Sequence, residues 1–261
     1  MPKSTEDYNE QHSLLALFKG ESGEGKSVAA LSFPEPYVFD FDKKMPGIAL
    51  KHFKGKVIHY DTFNSIFEAQ DIISGLQNYC PYKTIIADSF TALANLTIKS
   101  VGEVKGEDVP ELLKKVQSTK GGAKQIEMMG IDYYGGEDRF CTWFIDQLKM
   151  LHVKHNVNVI VTAHVIEVTS APDLKTKYIS KTRSIVAKGR KVAAWLPTEF
   201  DNVYHFAHLQ PDLGEIDQSV RRVCITEAFG DDSAKCSLAL PSFIDFTNGS
   251  LYEGIFPNAN K

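Results

Sequence analysis

Short apolar runs alternate with amphipathic segments over most of the chain. The apolar runs predict buried strands at residues 13–18, 37–41, 56–60, 83–87 and 157–162. Apolar residues at helical spacing predict helices at residues 27–31, 63–79, 90–101 and 139–155. Because strands that alternate with helices form a parallel sheet covered on both faces, the pattern predicts an α/β fold with a mainly parallel central sheet.

The pattern changes from Asp201 onward. Runs at 203–206 and 220–225 follow each other with short connections, which predicts antiparallel strands that extend the sheet near the C-terminus. Two long segments, 102–136 and 168–188, show no regular periodicity, and such segments inside a compact domain are usually functional or disordered. We expect a loosely held N-terminus at 1–12 and a single domain at 13–261.

Composition narrows the class of protein. The 261 residues are 43% hydrophobic, which is enough for a sizeable core, and the formal net charge is −4. No apolar run has the length of a membrane span, no signal peptide is recognisable, and the 4 cysteines lack C-x-x-C spacing. We therefore expect a reduced, cytoplasmic setting. Any contact with a polyanion must come from a local basic patch.

The segment after the first strand matches G-x-x-x-x-G-K-[ST] at every fixed position. In such a loop the backbone N–H groups surround phosphates, the lysine reaches the β- and γ-phosphates and the hydroxyl binds Mg²⁺. The following helix points its positive N-terminus at the same phosphates. This motif predicts a site for ATP and Mg²⁺ built from Gly20, Glu21, Ser22, Gly23, Glu24, Gly25, Lys26, Ser27 and Val28.

Acidic and imidazole side chains follow three of the other predicted strands. Asp88 would complete the Mg²⁺ site, although Asp88 or Ser89 could instead cap the next helix. Asp40 and Asp42 lie at the end of the second strand, where one of them could orient and deprotonate the attacking water. The alternative for both is a solvated strand end. His164 follows the strand at 157–162 and could sense the γ-phosphate.

A run of basic residues without acids lies in and just after the second irregular segment. It could contact the phosphates of single-stranded DNA, with its tyrosine stacked on a base. The alternative is a solvated charge run without a partner. Its members are Lys175, Lys177, Tyr178, Lys181, Arg183, Lys188, Arg190 and Lys191.

Taken together, these motifs resemble those of a known family. The P-loop, Asp40-x-Asp42, Asp88-Ser89 and Thr162-Ala163-His164 come in the order and spacing of the RecA/RadA recombinase core. The chain looks most like the short ATPases of bacteriophages that consist of a RecA core alone, some of which act in recombination and strand annealing. The resemblance covers roughly residues 13–245 and implies a three-layer RecA-like fold. Asp42 stands where that family typically has Glu, and His164 where it typically has Gln.

The resemblance also implies partners and a function. It places DNA-facing loops at 102–136 and 168–188, and it implies a homo-oligomer in which Lys235 completes the ATP site of a neighbouring subunit. No Phe-x-x-Ala assembly motif is recognisable near the N-terminus. We expect an ATPase that is stimulated by single-stranded DNA and acts in phage-type recombination or annealing. A single-strand-binding or replication protein would be a further partner.

Three other functions remain open at this stage. A motor or loader ATPase of replication would carry the same nucleotide site. A small-molecule kinase could use the basic cluster as a lid over a second phosphate substrate. A regulatory protein could bind the nucleotide with little turnover, since Asp42 replaces the typical Glu.

Overall fold

The structure is a computed structural model, and the residues it describes are 13–104, 116–118, 124–126, 131–169, 181–187, 189–209, 220–228 and 234–257. The predicted N-terminal segment 1–12 lies outside them. The strands are β1 (Leu15–Gly20), β2 (Pro36–Asp40), β3 (His59–Thr62), β4 (Thr84–Asp88), β5 (Val116–Ser118), β6 (Lys124–Ile126), β7 (Asn158–Thr169), β8 (Lys181–Ile185), β9 (Asn202–Leu209), β10 (Arg221–Ile225) and β11 (Phe243–Asp245). The helices are α1 (Lys26–Ala30), α2 (Met45–His52), α3 (Ile66–Asn78), α4 (Phe90–Val104), α5 (Ile131–His155), α6 (Arg190–Trp195) and α7 (Leu251–Ile255), with a 3₁₀ turn at Leu196–Glu199.

Nine of these strands form one sheet in the order β11-β10-β9-β1-β7-β4-β2-β3, with β8 paired to β7. The strands from β9 to β3 in this order run parallel to their neighbours. The strands β10, β11 and β8 run antiparallel to theirs. The prediction of a mainly parallel sheet, extended by antiparallel strands near the C-terminus, is therefore confirmed, although β9, which contains 203–206, runs parallel to β1.

Two hydrophobic clusters cover the two faces of this sheet. Alternation along β1 sends Leu15 and Leu17 to the face packed by α3, α4, α5 and α6, and sends Ala16 and Phe18 to the face packed by α1, α2 and α7. The three layers follow from this alternation, because each face of the sheet needs its own cover of helices. Among the described residues, no helix has both the length and the apolar character needed to cross a bilayer.

Both segments that the sequence pattern left irregular contain regular structure. The helix α5 begins at Ile131, so Gly135 and Gly136 lie inside it. A Cβ on Gly136 would come within 2.5 Å of Val101 on α4, so glycine permits the close packing of these two helices. Upstream, β5 and β6 pair with each other in an antiparallel ladder. The prediction of an irregular segment over 102–136 is wrong in these places.

The second segment is also partly regular. The strand β7 continues to Thr169 and β8 returns beside it, because the backbone of residues 165–169 pairs with that of residues 181–185. His164 therefore lies inside β7 and not after the strand, opposite Gly20 of β1. The helices α2, α6 and α7 were not predicted from the sequence, since each is short.

Candidate functional site

Parallel strands bring the predicted site residues to one edge of the sheet. The register pairs Gly20 of β1 with His164 of β7, and Asp40 of β2 with Asp88 of β4. The strands β1, β7, β4 and β2 are successive neighbours. The P-loop, His164, Asp88 and Asp40 therefore lie together at the edge of the sheet where the parallel pairing of these strands ends. Residues that lie far apart in sequence thus form one site.

The P-loop has the backbone conformation that its glycines predict. Gly23 and Gly25 have φ angles of 92° and 87°, in the left-handed region where a side chain would strain the backbone. Gly25 is the N-cap of α1, and its carbonyl accepts the N–H of Ala29 at 2.8 Å. A Cβ on Gly20 would come within 2.8 Å of the Phe206 carbonyl oxygen, so glycine is also required where the loop leaves β1.

The Lys26 ammonium spans the mouth of this loop. Its Nζ donates to the carbonyl oxygens of Gly20, at 3.0 Å, and Glu21, at 2.7 Å, and lies 3.5 Å from His164 Nδ1. Burial lowers the pKa of Lys26 to about 8, although the carboxylates of Glu24, Asp88 and other neighbours oppose the shift. Two carbonyls orient the charge, and phosphate oxygens at the loop mouth would supply a buried ammonium with a counter-charge.

Asp88 lies beside the start of α1, where a metal ion would be held. Its carboxylate accepts hydrogen bonds from the hydroxyls of Thr162 and Ser27. Burial raises the pKa of Asp88, while these hydrogen bonds and the Lys26 charge act in the opposite direction. Carboxylate and hydroxyl oxygens suit Mg²⁺, which is usually held by one or two protein ligands together with phosphates. No group of three or more His, Cys, Asp or Glu side chains in the described ranges could hold a metal ion alone, so Ser27 and Asp88 fit Mg²⁺ only together with a phosphate ligand.

The two acids at the end of β2 have different surroundings. The Asp40 side chain is buried, and its oxygens accept the N–H groups of Lys44, at 3.1 Å, and Met45, at 2.9 Å, so that it orders the turn into α2. Asp42 is partly exposed, and its Oδ2 lies 3.9 Å from His164 Nε2. Asp42 is therefore the acid that faces the open part of the site.

Several polar contacts determine the charge of Asp42. Burial raises the pKa of this carboxyl, but the polar neighbours His164 and Ser89 and the charge of Lys44 outweigh burial and hold it below its usual value. An ionised Asp42 accepts hydrogen bonds and can orient a water molecule. His164 lies between Asp42 and Lys26, because its two ring nitrogens face the two side chains. It is placed where a terminal phosphate would contact all three.

The predicted DNA-contacting residues do not form one free loop. Arg183 lies on β8, and its Nη1 is 2.8 Å from Nε2 of His205. Arg190 is exposed on α6, whereas Lys191 pairs with Asp138 of α5 at 2.6 Å. The backbone of Lys181 belongs to β8. Lys175, Lys177, Tyr178 and Lys188 lie outside the described residues.

Lys235, the residue proposed to act in a neighbouring subunit, lies on a different part of the fold. It is exposed, and its backbone pairs with Val203 of β9 in an isolated antiparallel bridge. Another molecule could therefore contact Lys235, and its role in a neighbouring subunit stays a prediction.

A cavity beside the P-loop was not foreseen from the sequence. It has a volume of about 500 Å³ and extends over α1 from Val28 toward His52, with Arg222, Phe246 and Asn248 on the opposite wall. A Cβ on Gly25 would lie 3.4 Å from the Phe246 ring and 3.6 Å from the Arg222 side chain, so the cavity adjoins the loop. No sequence motif marks these residues, because they lie about two hundred residues after the P-loop.

Comparisons with known proteins identify a family for this chain. A family model described as "AAA domain" matches residues 14–229, which is most of the chain. Among solved structures, the KaiC-like protein PH0186 from the hyperthermophilic archaeon Pyrococcus horikoshii OT3 is similar, with 11% sequence identity and a TM-score of 0.42 over 89% of each chain. The family match includes the P-loop and the strands β2, β4 and β7, which together form the site.

Proposed function

Because the chain belongs to the AAA domain family of P-loop ATPases, we propose that it binds and hydrolyses ATP in the site formed by Lys26, Ser27, Asp42, Asp88 and His164. The observation that carries the proposal is the position of Lys26 Nζ, anchored by two loop carbonyls and 3.5 Å from His164, which in turn faces Asp42. One site thus combines a phosphate-binding cation with an ionised acid.

Each side chain has a distinct part in this reaction. Lys26 neutralises charge on the β- and γ-phosphates, and the loop N–H groups hold the phosphate oxygens. Ser27 and Asp88 would hold Mg²⁺, which supplies further charge neutralisation on the phosphates when it is bound. Asp42 orients the attacking water and accepts its proton, and His164 contacts the γ-phosphate from β7. Asp40 holds the turn into α2.

We assign the nucleoside to the cavity beside Gly25. The terminal phosphate faces Asp42 and His164, so the rest of the nucleotide must leave the loop on the other side, where the cavity begins. Its volume of about 500 Å³ lies within the range of small-molecule sites, which is about 300–1,000 Å³. Phe246 offers an apolar surface, and in the described part of the chain the Arg222 guanidinium makes no ion pair.

An ATP turnover assay with Mg²⁺ tests the ATPase assignment. We expect Lys26→Ala to abolish turnover, because the loop then lacks its phosphate-binding cation. The matched control is Lys54→Ala, which removes an exposed lysine just after α2 and outside the site. Turnover in Lys26→Ala equal to that of the unmodified protein would exclude this site.

We further propose that hydrolysis is coupled to single-stranded DNA, in phage-type recombination or annealing. The support is the basic run around β8, a strand whose last residue, Ile185, pairs with Val165 next to His164. In a protein with a net charge of −4, a local cluster of Lys and Arg is the surface suited to a polyanion. An oligomer in which Lys235 reaches the neighbouring ATP site belongs to the same proposal.

Binding of single-stranded DNA over a salt series tests the second proposal. We expect Lys175→Gln with Lys177→Gln to weaken binding and to reduce the slope of log K against log salt by about 0.7 for each lost phosphate contact. The control is Lys51→Gln with Lys54→Gln, an equal change of charge on exposed residues outside the basic run. Equal effects of the two double variants would exclude a specific surface, and strand separation fuelled by ATP would favour the motor alternative.

A further inference from the structure

Arg183 spans the carboxyl end of β1, where the P-loop begins. It lies on β8, which pairs with the outer half of β7, and its guanidinium reaches His205 on β9. The strands β7 and β9 are the two neighbours of β1, so this contact passes over the point where the chain leaves Gly20. The distance from Arg183 Nη1 to His205 Nε2 is 2.8 Å.

His205 is a fixed anchor for this arginine. Its side chain is 2% exposed and it precedes Phe206, whose carbonyl oxygen lies against Gly20. Because a guanidinium only donates, Nε2 of His205 must be the acceptor, and the ring is held as the tautomer that carries its proton on Nδ1. Arg183 therefore sits on the rigid sheet and not on a surface loop.

Glu24 is the P-loop residue that lies at the same end of β1. Its carboxylate accepts the N–H of Glu21 and lies over Gly20 beside the Phe206 carbonyl. Burial raises the pKa of Glu24, while the N–H of Glu21 and the charges of Lys26 and Arg183 act in the opposite direction. The Glu24 carboxylate is thus within electrostatic reach of two cations, one on the loop and one on β8.

We infer that Arg183 is a positioning residue that couples the occupancy of the P-loop to the β7–β8 hairpin, acting through Glu24 and His205. The negative charge of a bound triphosphate would lie beside Glu24 and would attract the same two cations, Lys26 and Arg183. The electrostatic interaction between Glu24 and Arg183 therefore differs between the free and bound states, which is the condition for coupling. The inference rests on the proposed ATP site and adds that β8, which carries part of the basic run, responds to the nucleotide.

The chain supplies a matched control. Glu167 of β7 lies opposite Arg183 in the antiparallel register, whereas Glu24 acts on the same arginine through its charge. Only Glu24 belongs to the P-loop. If Arg183 serves merely to hold the hairpin, Glu167→Gln and Glu24→Gln have similar effects; if it couples, only Glu24→Gln changes the response to nucleotide.

Hydrogen exchange of the β8 amides, with and without adenylyl imidodiphosphate and Mg²⁺, tests the inference, and calorimetry measures the affinity of the same analogue. We expect the analogue to slow exchange in β8 of the unmodified protein. Arg183→Gln should bind the analogue about 5- to 20-fold more weakly and, at saturation, should show no change in β8. Arg183→Lys retains the charge without the planar fork, so we expect a partial response. Glu167→Gln should respond like the unmodified protein.

The possible failures are distinguishable. If the unmodified protein does not bind the analogue, the proposed ATP site is wrong and the inference falls with it. If it binds and β8 does not respond, or if saturated Arg183→Gln and Arg183→Lys respond fully, the ATP site stands and the coupling is wrong. A lost response in Glu167→Gln equal to that in Glu24→Gln would also overturn the coupling.

Discussion

At the scale of single residues, the charge state of Lys26 links the P-loop to pH. The motif predicted that this lysine reaches phosphates, but only the structure shows how deeply it is buried, with 5% of the residue exposed. Removing a cation from water disfavours its charged form, and the pKa of Lys26 falls to about 8 as a result. An anionic ligand reverses that shift by pairing with the ammonium.

We expect nucleotide binding above pH 8 to take up a proton. In the free protein Lys26 loses its proton as the pH rises through about 8, whereas the bound phosphates keep it protonated. Affinity should therefore decrease by up to about tenfold per pH unit above 8. Calorimetry in buffers of different ionisation enthalpy, between pH 7.5 and 9.5, measures the uptake.

The control for this prediction is Lys26→Arg, because arginine stays charged over the whole range. The affinity of this variant is expected to be lower, because a guanidinium differs in shape from an ammonium, but it should not vary with pH through this group. An equal pH dependence in Lys26→Arg would show that another group takes up the proton.

The two acids after β2 give a second prediction at this scale. Asp42→Asn should reduce turnover about 10²- to 10⁴-fold with ATP still bound, because the amide cannot accept a proton from water. Asp40→Asn should instead lower the free energy of unfolding by about 1–3 kcal/mol, since one amide group would face a backbone N–H of Lys44 or Met45. Turnover and urea unfolding of both variants separate the two roles, and a reversed result would exchange the assignments.

At the scale of elements, α5 holds the segment that leads into α6. Glu137 of α5 is buried, and its Oε2 accepts the N–H of Gly189 at 2.8 Å. The neighbouring Asp138 pairs with Lys191 at the surface. The two acids were outside the regular helix that the sequence predicted, which began at Arg139, because the glycines before them concealed the helical pattern.

We expect Glu137→Ala to lower the free energy of unfolding by about 1–3 kcal/mol, because it leaves the Gly189 N–H without its acceptor. Asp138→Ala is the control on the same helix, and the loss of a surface pair should cost at most about 1 kcal/mol. Urea unfolding midpoints compare the two. Equal destabilisation would show that the buried hydrogen bond of Glu137 contributes no more to the free energy of unfolding than the surface pair of Asp138.

The elements also show why some predictions succeeded. The strands β1, β2, β4 and the inner part of β7 were recognised, because a strand buried on both faces is a continuous apolar run. The strand β3 was predicted three residues too early, since all four of its residues are exposed. The prediction failed for β8 and for the outer part of β7, since polar residues interrupt the apolar pattern there and the two segments pair with each other. It failed for α2, α6 and α7 because short helices depend on tertiary packing more than on local pattern.

At the scale of the whole molecule, the site joins four strands and two cores, so a ligand bound there should stabilise the fold. A ligand that binds only the folded state at 100 times its Kd adds about 2.7 kcal/mol to the free energy of unfolding. For a chain of this size each kcal/mol raises the Tm by about 2–4 °C. Thermal melts with MgATP should show this rise, and Lys26→Ala should lack it. A rise that is the same in Lys26→Ala would place the ligand elsewhere.

The sequence by itself determined the features that are local in the chain. Eight consecutive residues carry the P-loop, and the alternation of apolar runs with helices indicates an α/β fold with a mainly parallel sheet, so both could be identified without coordinates. The tertiary structure alone decided which distant groups meet. It brings Asp42 close to His164, places Asp40 in the turn into α2 and pairs Asp138 with Lys191. It also brings Arg183 into contact with His205, and it forms the cavity lined by Arg222 and Phe246. These contacts join residues from different strands and helices, and their distances depend on sheet register and packing, which no local pattern encodes.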